Sequence, residues 1–367
     1  MSERLTAWQR LRTRFDWTLF ALIAALGGAG VLNLWSAVRD RQPQLLRTQL
    51  VWLALGVAVF VAVALVDTRR ILRWAYLLYG LGVGALAWVI LAGRAAGGAR
   101  RWLELGPLSV QPSEMVKVLL VLALARHIHD APSLKERTFR HLLVPLFLVG
   151  VPALLVAAQP DLDNALILVL IFAAIMLTAR LSLKTWGSIL LVAALAAGPI
   201  YKYGLRDYQR DRVLAFLNPE ANEATAWQPR HAMNALGSGR VWGKGYLEAT
   251  YLRVRGLPAL WTDYPFAMVG EEWGFLGCAL VVCLAAALVL WILKVSRDAR
   301  DRFAAMLCIG CAAMFFWQSL INIAMVSGLL PVAGATLPLV SYGGSSLLAV
   351  MFALGLVMNV SVRRFPR

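Results

Sequence analysis

Long apolar runs recur along this chain from residue 17 almost to its end, and they constrain its fold more than any other feature. Windows near the roughly 20 residues that span a bilayer's hydrocarbon fall at 17–38, 50–66, 73–93, 112–128, 142–158, 164–180, 186–201, 264–293, 303–327 and 340–362. These windows lack the alternation of a β-strand, and only helices or closed barrels satisfy backbone groups in lipid. The sequence predicts an all-α, polytopic membrane protein of about ten transmembrane helices.

The composition agrees with a membrane solvent, because 60% of the 367 residues are hydrophobic and 15% are charged. No span outside the apolar windows is long enough for a separate soluble core, so residues 1–367 are predicted to form one membrane domain. The net charge of +16 comes from short Lys and Arg clusters between apolar runs rather than from one helix face. This pattern indicates membrane topology and excludes nucleic acid as the expected partner.

The distribution of Lys and Arg among the short connections predicts the orientation, because such residues tend to stay in the cytoplasm. They concentrate in alternate connections, which places both termini on the cytoplasmic side. Residues 202–261, between the seventh and eighth windows, then form a large basic extracytoplasmic loop, and long loops translocate regardless of charge. Attraction to anionic lipid headgroups and a site for a phosphate-bearing ligand explain that charge equally well.

Glu114 and Lys117 open the fourth apolar window, where buried charges are costly and therefore candidates for function. Three residues apart, they share a helix face and can form an ion pair. The pair either locks this helix end or lines a cavity and orients a substrate.

Two aspartates follow exterior turns. Asp161 comes after Pro160 and either caps the sixth helix or takes part in a site. Asp263 lies two residues before Pro265, a residue that suits a first helical turn, so its carboxylate is expected at the outer mouth of the eighth helix as an N-cap or as a functional group.

Two glycine-rich segments complete the set of candidates. N-A-L-G-S-G-R-V-W-G-K-G-Y (234–246) can wrap phosphate oxygens with backbone N–H groups and Lys244, although it is not a Walker A loop. P-V-A-G-A-T-L-P-L-V-S-Y-G-G-S-S (331–346), which contains Ser341, interrupts two apolar windows. Broken backbone at membrane depth is tolerated where it lines a cavity, so this segment is expected to border the same site.

These segments together resemble the SEDS family of shape, elongation, division and sporulation proteins across essentially the whole chain. The resemblance rests on G-A-R-R-W (98–102), L-G-P-L-S-V-Q-P-S-E-M-V-K (105–117), Q-P-D-L (159–162), G-S-G-R-V-W-G-K-G (237–245), T-D-Y-P-F-A-M-V-G-E-E-W-G (262–274) and L-P-L-V-S-Y-G-G-S-S (337–346). The run N-I-A-M-V-S-G-L-L-P-V (322–332) resembles the RodA branch more than the FtsW branch. Trp261 stands where a His or similar polar residue is common.

The resemblance implies a peptidoglycan glycosyltransferase of the bacterial cytoplasmic membrane that polymerises lipid II, an undecaprenyl-pyrophosphate disaccharide-pentapeptide, during cell elongation, with its active site facing the periplasm or cell exterior. It implies Asp263 as general base. The remaining candidates for substrate binding are Arg101, Glu114, Lys117, Asp161, Arg210, Arg212, Lys244 and Ser341.

The expected partners are lipid II, a class B penicillin-binding protein and membrane lipids. A divalent cation (Mg²⁺ or Mn²⁺) is the one candidate cofactor, and no residues are assigned as its ligands. Two other functions fit a bundle of about ten helices with buried charges. One is a lipid II transporter, which would need polar sites on the inner side as well. The other is a membrane scaffold for the penicillin-binding protein, which would need none of the carboxylates.

Overall fold

The computed structural model describes residues 13–96, 99–105, 108–130, 142–178, 187, 198, 204–255, 257 and 259–364. Within these ranges the chain is mostly helical. The helices are α1 (Trp17–Val38), α2 (Gln44–Leu65), α3 (Thr68–Ala92), α4 (Pro112–Asp130), α5 (Leu143–Ala158), α6 (Leu162–Thr178), α7 (Asp207–Leu217), α8 (Glu223–Ser238), α9 (Thr250–Arg255), α10 (Pro265–Arg297), α11 (Arg302–Val326) and α12 (Gly344–Arg363).

Nine of the ten predicted apolar windows contain a helix in the described residues, and the tenth, 186–201, lies outside the continuous described ranges. Among the described helices, six are long and apolar enough to cross a membrane: α1, α2, α3, α10, α11 and α12. Helices α5 and α6 are apolar but shorter. The protein is therefore an integral membrane protein.

A small sheet corrects the expectation of a purely α-helical chain. Strands β1 (Arg94–Ala96), β2 (Ala99–Leu105) and β3 (Leu108–Val110) pair antiparallel in the order β1-β2-β3 between α3 and α4. In this sheet Leu103 pairs with Val110 and Glu104 with Ser109. Strands this short leave no signal in windows of membrane-spanning length, so the apolar pattern missed them.

Helix α4 occupies the centre of the bundle and packs against α3, α6, α11 and α12. Most of its side chains are buried, including the charged residues Glu114 and Lys117 near its first turn. Helix α12, also largely buried, packs between α2 and α4. The polar start of α4 thus lies inside the protein, at the same end of the bundle as the segment that precedes α12.

Helix α10 bends at Gly274, whose φ of 63° and ψ of −157° are not helical. The bend frees backbone groups, and the glycine-rich segment satisfies them. Lys244 N and Gly245 N donate to the carbonyls of Glu271 and Glu272, both at 3.0 Å. These two N–H groups of the segment therefore bind α10 rather than an external ligand.

Glycine is required where this segment and α10 meet. A Cβ on Gly243 would lie 2.1 Å from the Glu272 carbonyl oxygen, and a Cβ on Gly274 would lie 2.4 Å from Gly243 N. Both distances are far inside van der Waals contact. Glycine at 243 and 274 thus allows the backbone of the glycine-rich segment to approach the backbone of α10 closely.

Residues 202–261 were predicted as a loop and contain three helices, α7, α8 and α9. Helix α8 packs on α10 and on α7. Glu271 accepts hydrogen bonds from the N–H groups of Tyr251 (2.7 Å) and Leu252 (3.1 Å) at the start of α9. These bonds fix the segment that leads to Asp263 on the side of α10. Lys202 lies outside the described residues.

Candidate active site

A half-open cavity of about 670 Å³ lies where the sheet, the starts of α4 and α6, helix α7 and the segment before α12 meet. Residues 330–334 and 342–346 form one wall, which confirms that the interrupted segment before α12 borders a cavity. The charged side chains on the walls are Arg101, Glu114, Asp161, Asp163, Arg212 and Asp263. Four acidic and two basic groups thus share one cavity.

Asp263 lies two residues before α10, and Pro265 occupies the first turn of that helix as predicted. The N-cap is Tyr264 rather than Asp263, and the N-cap side chain makes no capping bond, so the capping alternative for Asp263 does not hold. The Asp263 backbone carbonyl accepts a hydrogen bond of 2.8 Å from Asn322 Nδ2 of α11. The backbone is therefore held while the carboxylate faces the cavity.

The surroundings of Asp263 make its carboxylate a stronger proton acceptor than that of an exposed aspartate. Burial raises the pKa of Asp263 above its ordinary value, and a hydrogen bond with Thr262 and the charge of Arg212 act in the opposite direction. A raised pKa makes the ionised carboxylate a stronger proton acceptor, while Arg212 helps to keep it ionised.

The two arginines on the cavity walls belong to different secondary-structure elements. Arg212 lies on α7, where its guanidinium donates to the Val332 carbonyl oxygen at 3.4 Å and stands 5.7 Å from the ring of Tyr208. Arg101 lies on β2 and donates to the carbonyls of Gln159 and Pro160. Both arginines therefore hold the walls of the cavity and also present charge to it.

Asp161 is the centre of a side-chain network. One of its carboxylate oxygens accepts from Gln111 Nε2 (2.9 Å), Asn164 Nδ2 (3.0 Å) and Ser113 Oγ (3.1 Å). These contacts tie the turn before α6 to the start of α4. Its observed side-chain bonds thus join two helices rather than cap one.

Glu114 and Lys117 form the predicted ion pair. Lys117 Nζ donates to Glu114 Oε2 at 2.9 Å and to Asn164 Oδ1 at 2.8 Å, and the Lys117 side chain is fully buried. Glu114 lines the cavity, whereas Lys117 lies behind it. The pair is therefore both a buried lock and one wall of the cavity.

Three predicted substrate-binding residues lie away from this cavity. Lys244 Nζ binds Glu271 Oε1 at 2.6 Å. Ser341 Oγ accepts from Leu337 N at 2.8 Å, and Arg210 Nη1 lies 3.7 Å from Asp207. None of the three lines the cavity, and their part in substrate binding stays a prediction.

Sequence reasoning gave too little weight to several cavity residues. Asp163 lies on the wall within electrostatic reach of Arg212 and Asp263. Gly334, with φ of 86°, passes close to it, since a Cβ there would lie 3.3 Å from Asp163 Oδ2. Trp102 and Tyr208 also line the cavity. The D-x-D spacing at 161–163 was the available signal.

Across the described part of the chain, no group of three or more His, Cys, Asp or Glu side chains is placed to hold a metal ion. The donor set does not fit a divalent cation held by the protein alone.

The family model for the FtsW, RodA and SpoVE cell cycle proteins matches residues 14–365. The chain belongs to this family. As a family member, it is 33% identical over 366 residues to the peptidoglycan glycosyltransferase MrdB of Escherichia coli strain K12, covering 99% of this chain and 97% of that relative. It is 34% identical over 319 residues to MrdB of Helicobacter pylori, covering 86% and 82%.

Solved structures of family members share the fold. A chain of a peptidoglycan synthase complex that coordinates polymerization and crosslinking is 32% identical, with a TM-score of 0.82 and coverage of 96% of this chain and 99% of that chain. The rod shape determining protein RodA of Thermus thermophilus is 30% identical, with a TM-score of 0.73 and coverage of 96% and 98%. These likenesses confirm the resemblance to the SEDS family and to its RodA branch.

Proposed function

We propose that this protein is a peptidoglycan glycosyltransferase that polymerises lipid II into glycan strands during cell elongation. The observation that carries the proposal is the cavity itself, whose walls Asp263 shares with Arg101 and Arg212. The chain is also a member of a family whose relatives bear that activity in their names. The size of the cavity, about 670 Å³, suits a sugar-phosphate group rather than a whole lipid.

Asp263 acts as the general base. Its carboxylate takes the proton of the acceptor GlcNAc 4-hydroxyl as the hydroxyl oxygen bonds to the anomeric carbon of the donor MurNAc. The bond from that carbon to the pyrophosphate oxygen breaks, and undecaprenyl pyrophosphate leaves. Because the donor linkage is α and the product linkage is β, one displacement with inversion suffices and no covalent enzyme intermediate forms.

Arg101 and Arg212 stabilise the charge of the leaving group. Guanidinium groups bind phosphate oxygens bidentately, and a half-open cavity screens them less than bulk water does. Glu114, Lys117 and Asp161 hold the walls through the network that joins α4 to α6. They are positioning residues, because their bonds join the starts of α4 and α6 beside the cavity.

The protein operates in the cytoplasmic membrane, with both termini in the cytoplasm, about ten membrane crossings and the cavity on the outer face. The charge distribution of the short connections supports this orientation. A class B penicillin-binding protein is the proposed partner, and the likeness to a chain of a peptidoglycan synthase complex supports it.

Incubating the purified protein with labelled lipid II tests the function. Glycan chains longer than the disaccharide, resolved by gel electrophoresis, are the expected product. Unpolymerised lipid II together with transfer of label across proteoliposome membranes would instead indicate a transporter. If neither polymer nor transfer is observed, the scaffold function is the one that remains.

A further inference from the structure

Exposed tryptophans mark two levels along the long helices. Helix α1 exposes Trp17 (70%) and Trp35 (38%), and α3 exposes Trp74 (52%) and Trp88 (60%). At about 1.5 Å of rise per residue, the members of each pair are separated by about 27 Å and about 21 Å. Tryptophan is enriched at both membrane–water interfaces, so these levels fit the two surfaces of one bilayer.

Helix α10 changes its surroundings at the bend. Its residues from Pro265 to Glu272 are buried by the protein, whereas Trp273 (45% exposed), Phe275 (66%) and Leu280 (60%) are not. The 33 residues of α10 extend about 50 Å, more than the roughly 30 Å of a hydrocarbon core. The part after the bend is by itself long enough to cross the bilayer.

The other end of α10 also carries residues that are common at a membrane–water interface. Lys294 lies 4.3 Å from the ring of Trp291, near the end of the helix. About 27 Å of helix separates Trp273 from Trp291 at the usual rise. The bend at Gly274 therefore lies at one membrane surface, and the segment before it projects beyond that surface.

The glycine-rich segment is fixed at the level of the bend. Phe275 N and Leu276 N donate to the carbonyls of Arg240 (2.8 Å) and Val241 (3.2 Å). The next residue, Trp242, is 80% exposed. We call residues 240–246 the anchor loop.

Helix α1 confirms that level independently. Ser36 Oγ donates to the Glu272 carboxylate, and Tyr246 of the anchor loop donates to the Leu32 carbonyl at 3.2 Å. Trp35 of α1 and Trp273 of α10 therefore stand at similar heights. The Tyr246 ring also packs 5.7 Å from the ring of Trp273.

We propose that the anchor loop is a lipid-binding element that lies in the membrane interface, with the indole of Trp242 among the lipid headgroups. The loop continues the lipid-facing surface of α10 beyond Phe275. An indole presents an apolar ring and one N–H donor, a combination that suits the headgroup level. Arg240, also exposed, supplies a cation for lipid phosphates.

The anchor loop sets the height of Asp263. From Trp273 to Pro265 the helix rises about 12 Å, and the headgroup layer is about 5–8 Å deep on each side. The 12 Å of helix is thus long enough to carry Asp263 from the level of Trp273 to the outer edge of the headgroups. This consequence rests on the proposed function, since it means that the sugars of a lipid-linked substrate reach the base while the tail stays in the bilayer.

Spin-label accessibility in nanodiscs tests the lipid contact without using activity. The four cysteines, Cys278, Cys283, Cys308 and Cys311, are replaced by alanine in the full chain. Single cysteines are then introduced by Trp242→Cys, Leu280→Cys and Glu220→Cys and labelled with a nitroxide. Leu280 is the hydrocarbon reference, and Glu220, exposed between α7 and α8, is the aqueous reference.

The ratio of collisions with oxygen to collisions with a water-soluble nickel chelate reports depth. In nanodiscs of phosphatidylethanolamine and phosphatidylglycerol, the label at 242 is expected between the two references, at the phosphate level. A ratio equal to that at 220 places the loop in water and overturns the proposal. Shielding from both reagents indicates a protein contact and overturns it as well. An intermediate ratio together with no polymerase activity in the unaltered protein would count against the proposed function alone.

Discussion

The ammonium group of Lys117 bonds both Glu114 and Asn164, and all three side chains lie inside the helix bundle. One cation thus links the start of α4 to the start of α6. Because Asn164 also donates to Asp161 at 3.0 Å, the same link extends to a wall of the cavity. The shape of the cavity depends on a buried charge.

Replacing Lys117 by Met strands the Glu114 carboxylate. Removing one partner of a buried pair typically costs roughly 3–5 kcal/mol, so we expect a clear fall in the thermal unfolding temperature in detergent, together with weaker polymerase activity. The double variant Lys117→Met, Glu114→Gln is the matched control, because it removes the unpaired charge. Recovery of stability without activity is expected. Full activity in the single variant would remove the pair from the site.

Replacing Gly274 by Ala tests the bend in α10. At φ 63° and ψ −157° a side chain is strained by roughly 1–3 kcal/mol, and the added Cβ meets Gly243 N. We expect a lower unfolding temperature. Gly80→Ala in α3 is the control, since no atom lies within 4 Å of its added Cβ, and it is expected to be neutral or stabilising by about 0.5–1 kcal/mol. Equal effects of the two substitutions would contradict the role of the bend.

The pH dependence of polymerisation follows from Asp263. A base works only when deprotonated, so kcat/KM rises with pH through the pKa of Asp263, which burial raises above that of an exposed aspartate. Arg212 lowers that pKa, and Arg212→Gln is therefore expected to move the acid limb of the pH–rate profile to higher pH. Arg210→Gln, a change on the same helix outside the cavity, should leave the limb in place. A shift toward lower pH in Arg212→Gln would contradict the assignment.

Sequence alone predicted the described helices of the apolar windows, because those windows and Pro265 report directly on membrane burial and helix starts. It missed α7, α8 and α9, which lie in the segment predicted as a loop. It also brought Glu114, Asp161 and Asp263 to one site through the family motifs. It did not predict the ion pair between Lys244 and Glu271, because the distance from the glycine-rich segment to Glu271 depends on tertiary packing around Gly274. The sheet was missed because strands of three to seven residues are invisible to long windows.

The rate of polymerisation by purified Asp263→Asn protein tests the central claim most directly. Asparagine keeps the shape of the side chain and removes its basicity, and Asp207→Asn, whose side chain is 97% exposed, is the control. With folding and lipid II binding intact, we expect the rate of glycan synthesis to fall by a factor on the order of 10²–10⁴. A rate within about threefold of the unaltered protein would contradict a general base at this position, because such catalysis contributes far more.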